Sequence, residues 1–473
     1  MLTLSIIIYL LLTLLVGFIA SKFVNSSKDY ALAGRRMPMF ITASALFATW
    51  FGSETIIGAS SEFVNHGVLG IIEDPFGASL CLILLGAFFA RPLYNMNLLT
   101  LGDFFKQRYG PRVEIVAAIF MMLSYFGWTA AQFMAFGIVL NTVCGLDISY
   151  GVIIGASIVL IYTYAGGMLA ITVTDFLQTM VIIVGLVAMA VTLFYKIDDW
   201  SIIINNRPPE FFNFLPKPGV EHYLEYICAW ITIGLGSIPQ QDLYQRVMSA
   251  DSEKTAVSAC FLGGGMYLTI GLLPPIIALM AVTVYPELAA RDGQEILVNA
   301  VTKHEGLFIQ VLFFGALLSA VMSTASSTVL ASATVLAENI VKPLVNKLDE
   351  KHFLMLIRAS VIIMTLIGVL LASCNKSIYQ LVGESSMLTF VALFVPLVSG
   401  LWLKQTSSLG AELSMLSGAG FLFYAQQSPV SIMGVHIPSL LVGFSASVIA
   451  MLIGYLFTHS KFFMGSSATN KTE

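Results

Sequence analysis

The segment AVMSTASSTVLASAT, residues 320–334, sets seven hydroxyl side chains into a run otherwise apolar enough for a lipid bilayer. On a helix, Ala320, Ser323 and Thr324 fall at i, i+3 and i+4, so two hydroxyls and a backbone carbonyl share one turn of one face. Hydroxyl oxygens offer lone pairs to a cation without carrying a negative charge into hydrocarbon. That chemistry suits a monovalent cation. Small hydroxylated residues also let helices pack closely, but seven in fifteen positions exceed what packing requires. A second segment, ASALFATWFGSETIIGASSEFVNHG (43–67), places Gly52, Ser53, Glu54 and Thr55 at mid-span. Glycine followed by a carboxylate there predicts an interrupted helix whose freed backbone groups face a ligand. Glu54 at that depth must be paired, protonated or used. A third, CAWITIGLGSIPQQDLYQRV (228–247), is weakened as a helix by Gly234, Gly236 and Pro239 and is the second interrupted candidate.

These residues need a membrane scaffold to position them, and the composition supplies one. The chain has 473 residues, 57% hydrophobic and 11% charged, with a mean hydropathy of +0.87; soluble domains carry roughly 25% charged residues. Bilayer-length apolar stretches fall at 2–22, 40–65, 71–95, 113–144, 148–165, 168–196, 222–246, 255–285, 306–340, 354–374, 377–403, 408–425 and 436–458. The expectation is an all-α polytopic membrane protein with about thirteen transmembrane helices, the first of them retained rather than cleaved. A tight glycine turn in YAGGM (164–168) separates two of them. With the N-terminus outside and the C-terminus in the cytoplasm, seventeen of the 23 basic residues fall on the inside, as the positive-inside rule requires. Short loops point to a bacterial inner membrane.

The two interrupted spans stand five apart, so two five-helix units would be inverted relative to each other, the arrangement that marks a midplane transport site. The expected division is an extra N-terminal helix and loop (1–39), a first repeat (40–196), an extracellular loop (197–221), a second repeat (222–403), and two C-terminal helices with a short tail (404–473). The net charge of −4 offers no basic face to nucleic acid. Cys81, Cys144, Cys228, Cys260 and Cys374 lack metal spacing and read as packing residues. The six histidines lie in loops or near helix ends, with no metal or nucleophile motif, which argues against an enzyme. A sensor would need a signalling domain after the last helix, and a channel a pore filter.

Taken together, SAVMSTASSTVLASATVLAENI (319–340) and GGMLAITVTDFLQTMVIIVG (166–185), with its TDxxQ pattern, resemble the sodium:solute symporter family. The resemblance runs over roughly residues 1–425. It implies a LeuT-like five-plus-five inverted repeat and coupled entry of sodium and a small organic solute across the bilayer. It also implies sodium held by the carbonyls of Ala48, Phe51 and Ala320 and the hydroxyls of Ser323 and Thr324, with Asp175 of TDxxQ serving cation binding or release. ATWFG (48–52), LGAFFARPL (85–93), FFKQRYG (104–110) and GSIPQQDLYQRVMSA (236–250) are similar to the high-affinity choline transporter branch. Trp50 and Trp128 match two aromatic positions of that branch, where indole faces attract a quaternary ammonium. Gln240 stands where the branch has a third tryptophan, so the cage is incomplete. Glu73 and Asp74 open the third span near where sugar-carrying relatives place an acid; a helix start also favours acids. With Ser53, Glu54, Gln132 and Gln240 they complete the expected solute-binding set. The expected solute is zwitterionic or cationic, of amino acid, choline or betaine type. A sugar, polyol or monocarboxylate, and proton-coupled or uncoupled movement, are the alternatives.

Overall fold

The apolar and hydroxyl-rich segments sort themselves in space as the bilayer demands. In a computed structural model that describes residues 1–290, 293–345, 348–372, 377–403 and 407–468, the chain is almost wholly helical, and one antiparallel hairpin (Val430–Ile432 with Val435–Ile437) is its sheet among those residues. Cys374 and the expected loop cations Arg291, Lys347, Lys376, Lys404 and Lys471 lie outside the described residues. The helices that build the site are α1 (Leu2–Ser21), α2 (Met39–Trp50), α3 (Ala59–His66), α4 (Leu101–Tyr109), α5 (Pro111–Cys144), α6 (Ile148–Phe194), α7 (Val220–Gly234), α8 (Gln241–Ser249), α9 (Glu253–Thr269), α10 (Leu307–Val335), α11 (Glu350–Leu371) and α12 (Ile378–Thr389). Among the described residues, nine helical stretches are long and apolar enough to cross a membrane. The thirteen expected spans outnumber them by four, one of which, 408–425, forms the helix Ser408–Gln427 but is less apolar than the nine. The stretches 148–165 and 168–196 follow each other as α6 with only the non-helical Gly167 as the turn between them, and the two halves fold back on each other, since Tyr162 and Asp175 reach Met322 and Ser323 on the same turn of α10. The interrupted spans, meanwhile, divide into pieces each shorter than a bilayer.

Gly167 is the turn expected in YAGGM. Its φ of 51° and ψ of −144° suit glycine, and a β-carbon there would come 2.5 Å from the Tyr30 carbonyl oxygen. No larger residue fits. At the periphery α1 turns Leu4, Ile7, Leu11, Leu15 and Phe18 outward, the face hydrocarbon solvates. At the centre every residue of α10 from Phe313 to Val335 is buried, packed against α5, α6 and α11. Polar side chains therefore point inward and apolar ones outward, because an unpartnered hydroxyl in lipid is costly. The half-helix α8 is buried along its whole length, charges included. At one face of the bundle its end is joined to the approach to α2: the Met37 N–H donates to the Ser249 carbonyl, and the Asp251 N–H donates to the Met37 carbonyl, each at 3.0 Å.

Candidate functional site

The site is built on what the chain does after Trp50. Phe51 adopts φ −73°, ψ 72°, and the Gly52 N–H donates to the Trp50 carbonyl at 2.7 Å. This is an inverse γ-turn. Diverting the Gly52 N–H leaves the Ala48 carbonyl without its helical donor, and two hydroxyls of α10 replace it: Ser323 at 2.8 Å and Thr324 at 3.4 Å. The Ser53 N–H is released by the same turn and donates instead to Gln132 Oε1 of α5 at 3.0 Å. Phe51 keeps its helical bond to Phe47 at 3.1 Å and stacks its ring on the Phe47 ring.

Asp175, from the second half of α6, joins the Ser323 hydroxyl at 2.5 Å through Oδ1. A hydroxyl carries one proton, so Ser323 satisfies either Ala48 or Asp175, and the other acceptor faces it with bare lone pairs. Four oxygens from three helices thus meet at one turn. Ala320 is fully buried one helical turn earlier on α10. Ser326, Ser327, Thr328, Ser332 and Thr334 each bond a carbonyl of α10 three or four residues back, which satisfies their protons within the helix.

Gly52 lies between this turn and a second polar cluster. A β-carbon at Gly52 would meet Thr324 Oγ1 at 2.6 Å, Glu54 Oε2 at 2.7 Å and Gln132 Oε1 at 2.8 Å. The buried Glu54 accepts the Trp128 indole N–H at 3.0 Å and the Gln132 amide N–H at 2.8 Å. Trp128 stacks on Trp50 with ring centroids 5.9 Å apart. The Trp50 indole donates to Asp242 of α8 at 2.9 Å, and the Tyr125 hydroxyl donates to the same carboxylate at 2.7 Å. The aromatic pair is therefore held edge-on by a carboxylate from each interrupted span. Thr55 donates to Asp74 at 2.5 Å, which brings Asp74 to the break. Glu73 is half-buried instead, its carboxylate against Gly383 of α12. Gln240 sits at the N-cap of α8, fully buried. Its amide, and the Ser53 hydroxyl, find no hydrogen-bond partner among the described residues.

Sequence reasoning missed Tyr125, Asp242 and Arg246. It counted Arg246 among the basic residues on the inside, whereas the structure buries it completely. The missed signal was the i, i+4 spacing of Asp242 and Arg246 in QDLYQR, which puts both charges on one face of the half-helix. A cavity of about 650 Å³ lined by Leu69, Glu210, Lys217, His222, Glu225 and Tyr226 lies beside the start of α7, and none of the break residues lines it. Trp50, Trp128, Glu54, Gln132 and Gln240 are all at most 2% exposed. The centre is closed to solvent.

Residues 30–418 match the profile of the sodium:solute symporter family. The chain is 28% identical over 439 residues to the human high affinity choline transporter 1 (Homo sapiens), covering 88% of this chain and 75% of the relative. It is 27% identical over 432 residues to a sodium/proline symporter of Staphylococcus aureus, covering 87% and 83%. Its fold is similar to that of a Na+-coupled sialic acid symporter in a substrate-bound, outward-open state, with a TM-score of 0.83 at 19% identity over 96% of this chain and 98% of the other. It also resembles MhsT in complex with L-phenylalanine, at a TM-score of 0.56, 14% identity, and 89% and 98% coverage.

Proposed function

The chain belongs to the sodium:solute symporter family and is a sodium-coupled membrane symporter of a small organic solute with the LeuT-like fold; from that premise we propose how its own residues divide the work. Sodium binds at the carbonyls of Ala48, Phe51 and Ala320 and the hydroxyls of Ser323 and Thr324, with Asp175 behind Ser323 as a second anchor or release partner. The solute binds across the break, between Trp50, Ser53, Glu54, Asp74, Trp128, Gln132 and Gln240. The observation that carries this reading is the shared end of α2: Ala48 faces the hydroxyls of α10, while Trp50, two residues on, engages Asp242 and Trp128. Moving that helix end for one ligand moves it for the other, and coupling between sites is reciprocal in free energy.

Charge favours a cationic or zwitterionic solute. Glu54 and Asp242 each hold one of the tryptophans, and Asp74 joins the break through Thr55; an ammonium group placed over indole faces satisfies both aromatic rings and carboxylates. Gln240, in place of a third aromatic ring, supplies an amide for a hydroxyl or carboxylate on the same molecule. Choline, betaine and proline types share that pattern, and similarity to choline and proline carriers supports it. Glu73, turned toward Gly383, belongs to the approach rather than the pocket. The five-helix repeats 40–196 and 222–403 rock about this site, with the N-terminus outside and the C-terminus in the cytoplasm of a bacterial cell. Uptake into proteoliposomes tests the reading: a labelled panel of choline, betaine, proline, other amino acids, a sugar and a short carboxylate, under a sodium gradient, a proton gradient or neither. One cationic or zwitterionic compound should respond to sodium. Response of the sugar or carboxylate alone sinks the solute assignment, and a Thr324→Ala protein with parental sodium dependence sinks the ion site.

A further inference from the structure

Arg246 makes less of its surroundings than a buried guanidinium should. It is wholly buried on α8. One terminal nitrogen donates to the Asp242 carbonyl at 3.1 Å, and the other donates to Ser327 of α10. That second nitrogen stands 3.7 Å from Asp175 Oδ2. Neither Arg246 Nε nor Asp175 Oδ2 has a hydrogen-bond partner among the described residues. A guanidinium and a carboxylate normally close as a two-bond fork at about 2.7–2.9 Å, and buried charges left short of that geometry carry a heavy desolvation cost. The Asp242 carboxylate accepts from Tyr125 and Trp50, one bond to each oxygen, and Arg246 reaches that residue through its backbone carbonyl. The other oxygen of Asp175 faces Ser323 at the proposed sodium turn. Asp175 thus lies between two cation positions, one for the ion and one filled by a tethered arginine held at a distance.

We propose that Arg246 is a built-in counter-cation that closes on Asp175 when sodium leaves the Ala48, Ser323 and Thr324 turn, and so neutralises the buried carboxylate while the empty carrier returns. The inference rests on the sodium site proposed above. Travel is short, about 1 Å from the present separation to fork distance. The arginine also rides on a half-helix separated from α7 by the break at 235–240, so it can shift without moving the whole span. While sodium occupies the turn, Asp175 is balanced from its Ser323 side; once sodium departs, an uncompensated carboxylate would resist reorientation through the bundle.

Two transport modes separate the return step from the rest. Net uptake into sodium-poor vesicles needs the empty return in every cycle. Exchange of external labelled for internal unlabelled solute, with saturating sodium on both sides, does not. Arg246→Gln should lower the ratio of net uptake to exchange by about tenfold or more, a modest rise in one barrier. Arg246→Lys, which keeps a cation, should hold the ratio within about threefold of the parent. Equal loss in both modes for Arg246→Gln, or an Arg246→Lys ratio as low as that of Arg246→Gln, overturns the proposal. Should Arg246→Gln not assemble, Arg246→Met, which keeps the apolar length of the side chain without its charge, takes its place and should show the same lowered ratio; a parental ratio in that folded variant overturns the proposal. The sodium constant of exchange in Thr324→Ala is measured alongside. If it does not move, the ion site falls, whereas the ratio at saturating sodium reads on Arg246 alone.

Discussion

Replacing Gly52 with alanine should damage the ion and solute sites together. The added β-carbon would stand 2.6 Å from Thr324 Oγ1, 2.7 Å from Glu54 Oε2 and 2.8 Å from Gln132 Oε1. Carbon and oxygen rest in contact at about 3.2–3.5 Å, so all three oxygens must recede by roughly half an ångström. They belong to three different elements, and two of them are tied: Gln132 donates to Glu54 at 2.8 Å and accepts the Ser53 N–H at 3.0 Å. Overpacking of this kind costs about 1–3 kcal/mol. If that cost falls on the bound state, half-saturating concentrations rise about 5- to 150-fold, since about 1.4 kcal/mol is tenfold in affinity. The assay is initial uptake in proteoliposomes, titrating sodium at saturating solute and solute at saturating sodium. Both constants should rise. Gly265→Ala, at a glycine where an added β-carbon meets nothing within 4 Å, controls for the substitution itself. Constants within twofold of the parent for folded Gly52→Ala would refute the close approach, and a shift in one constant alone would refute the claim that Thr324 and Glu54 share it.

Trp128→Phe keeps a ring to stack on Trp50 but removes the N–H that Glu54 accepts. An unpartnered buried oxygen costs about 1–3 kcal/mol, so the solute constant should change by about tenfold, measured by the same uptake assay. A solute seated between the indoles must part rings now 5.9 Å apart, so solute binding should change tryptophan fluorescence in the parent, and by less in Trp128→Phe, where Trp50 alone reports. Asn339 donates to Asp103 at 3.1 Å and Glu114 at 2.9 Å and accepts from Thr100 at 2.8 Å. Asn339→Ala should therefore lower the thermal midpoint in detergent by roughly 2–6 °C, read by unfolding with and without sodium.

Much of the centre was legible because helical geometry converts spacing into shape. Ala320, Ser323 and Thr324 share a face in any helix, and the structure turns Ser323 and Thr324 onto Ala48. Gly52 and Glu54 announced a break, and the γ-turn at Phe51 is that break. The glycine turn near 167 was readable too, since only a glycine accepts its backbone angles without strain. What spacing could not give was depth. Asp242 and Arg246 close the second interrupted segment, 228–247, where charges are expected to meet water, and only tertiary packing reveals that α8 is enclosed on all sides. The separate fates of Glu73 and Asp74 were equally hidden. Adjacent residues at a helix entrance diverge by local backbone, one reaching Thr55 and the other Gly383.

The bridge between Met37 and the end of α8 has a consequence for how such a protein can vary by descent. Its donors and acceptors are peptide groups, which every residue except proline supplies in full. Side chains at 37, 249 and 251 can drift without loosening the tie, so the tie leaves no mark on their identity. The residue that does leave a mark is Pro38, which holds the preceding backbone extended, the shape the bridge requires. In descendants of this chain, the fastening between the two interrupted spans should be traced by a proline at 38 and by the exclusion of proline from 37 and 251.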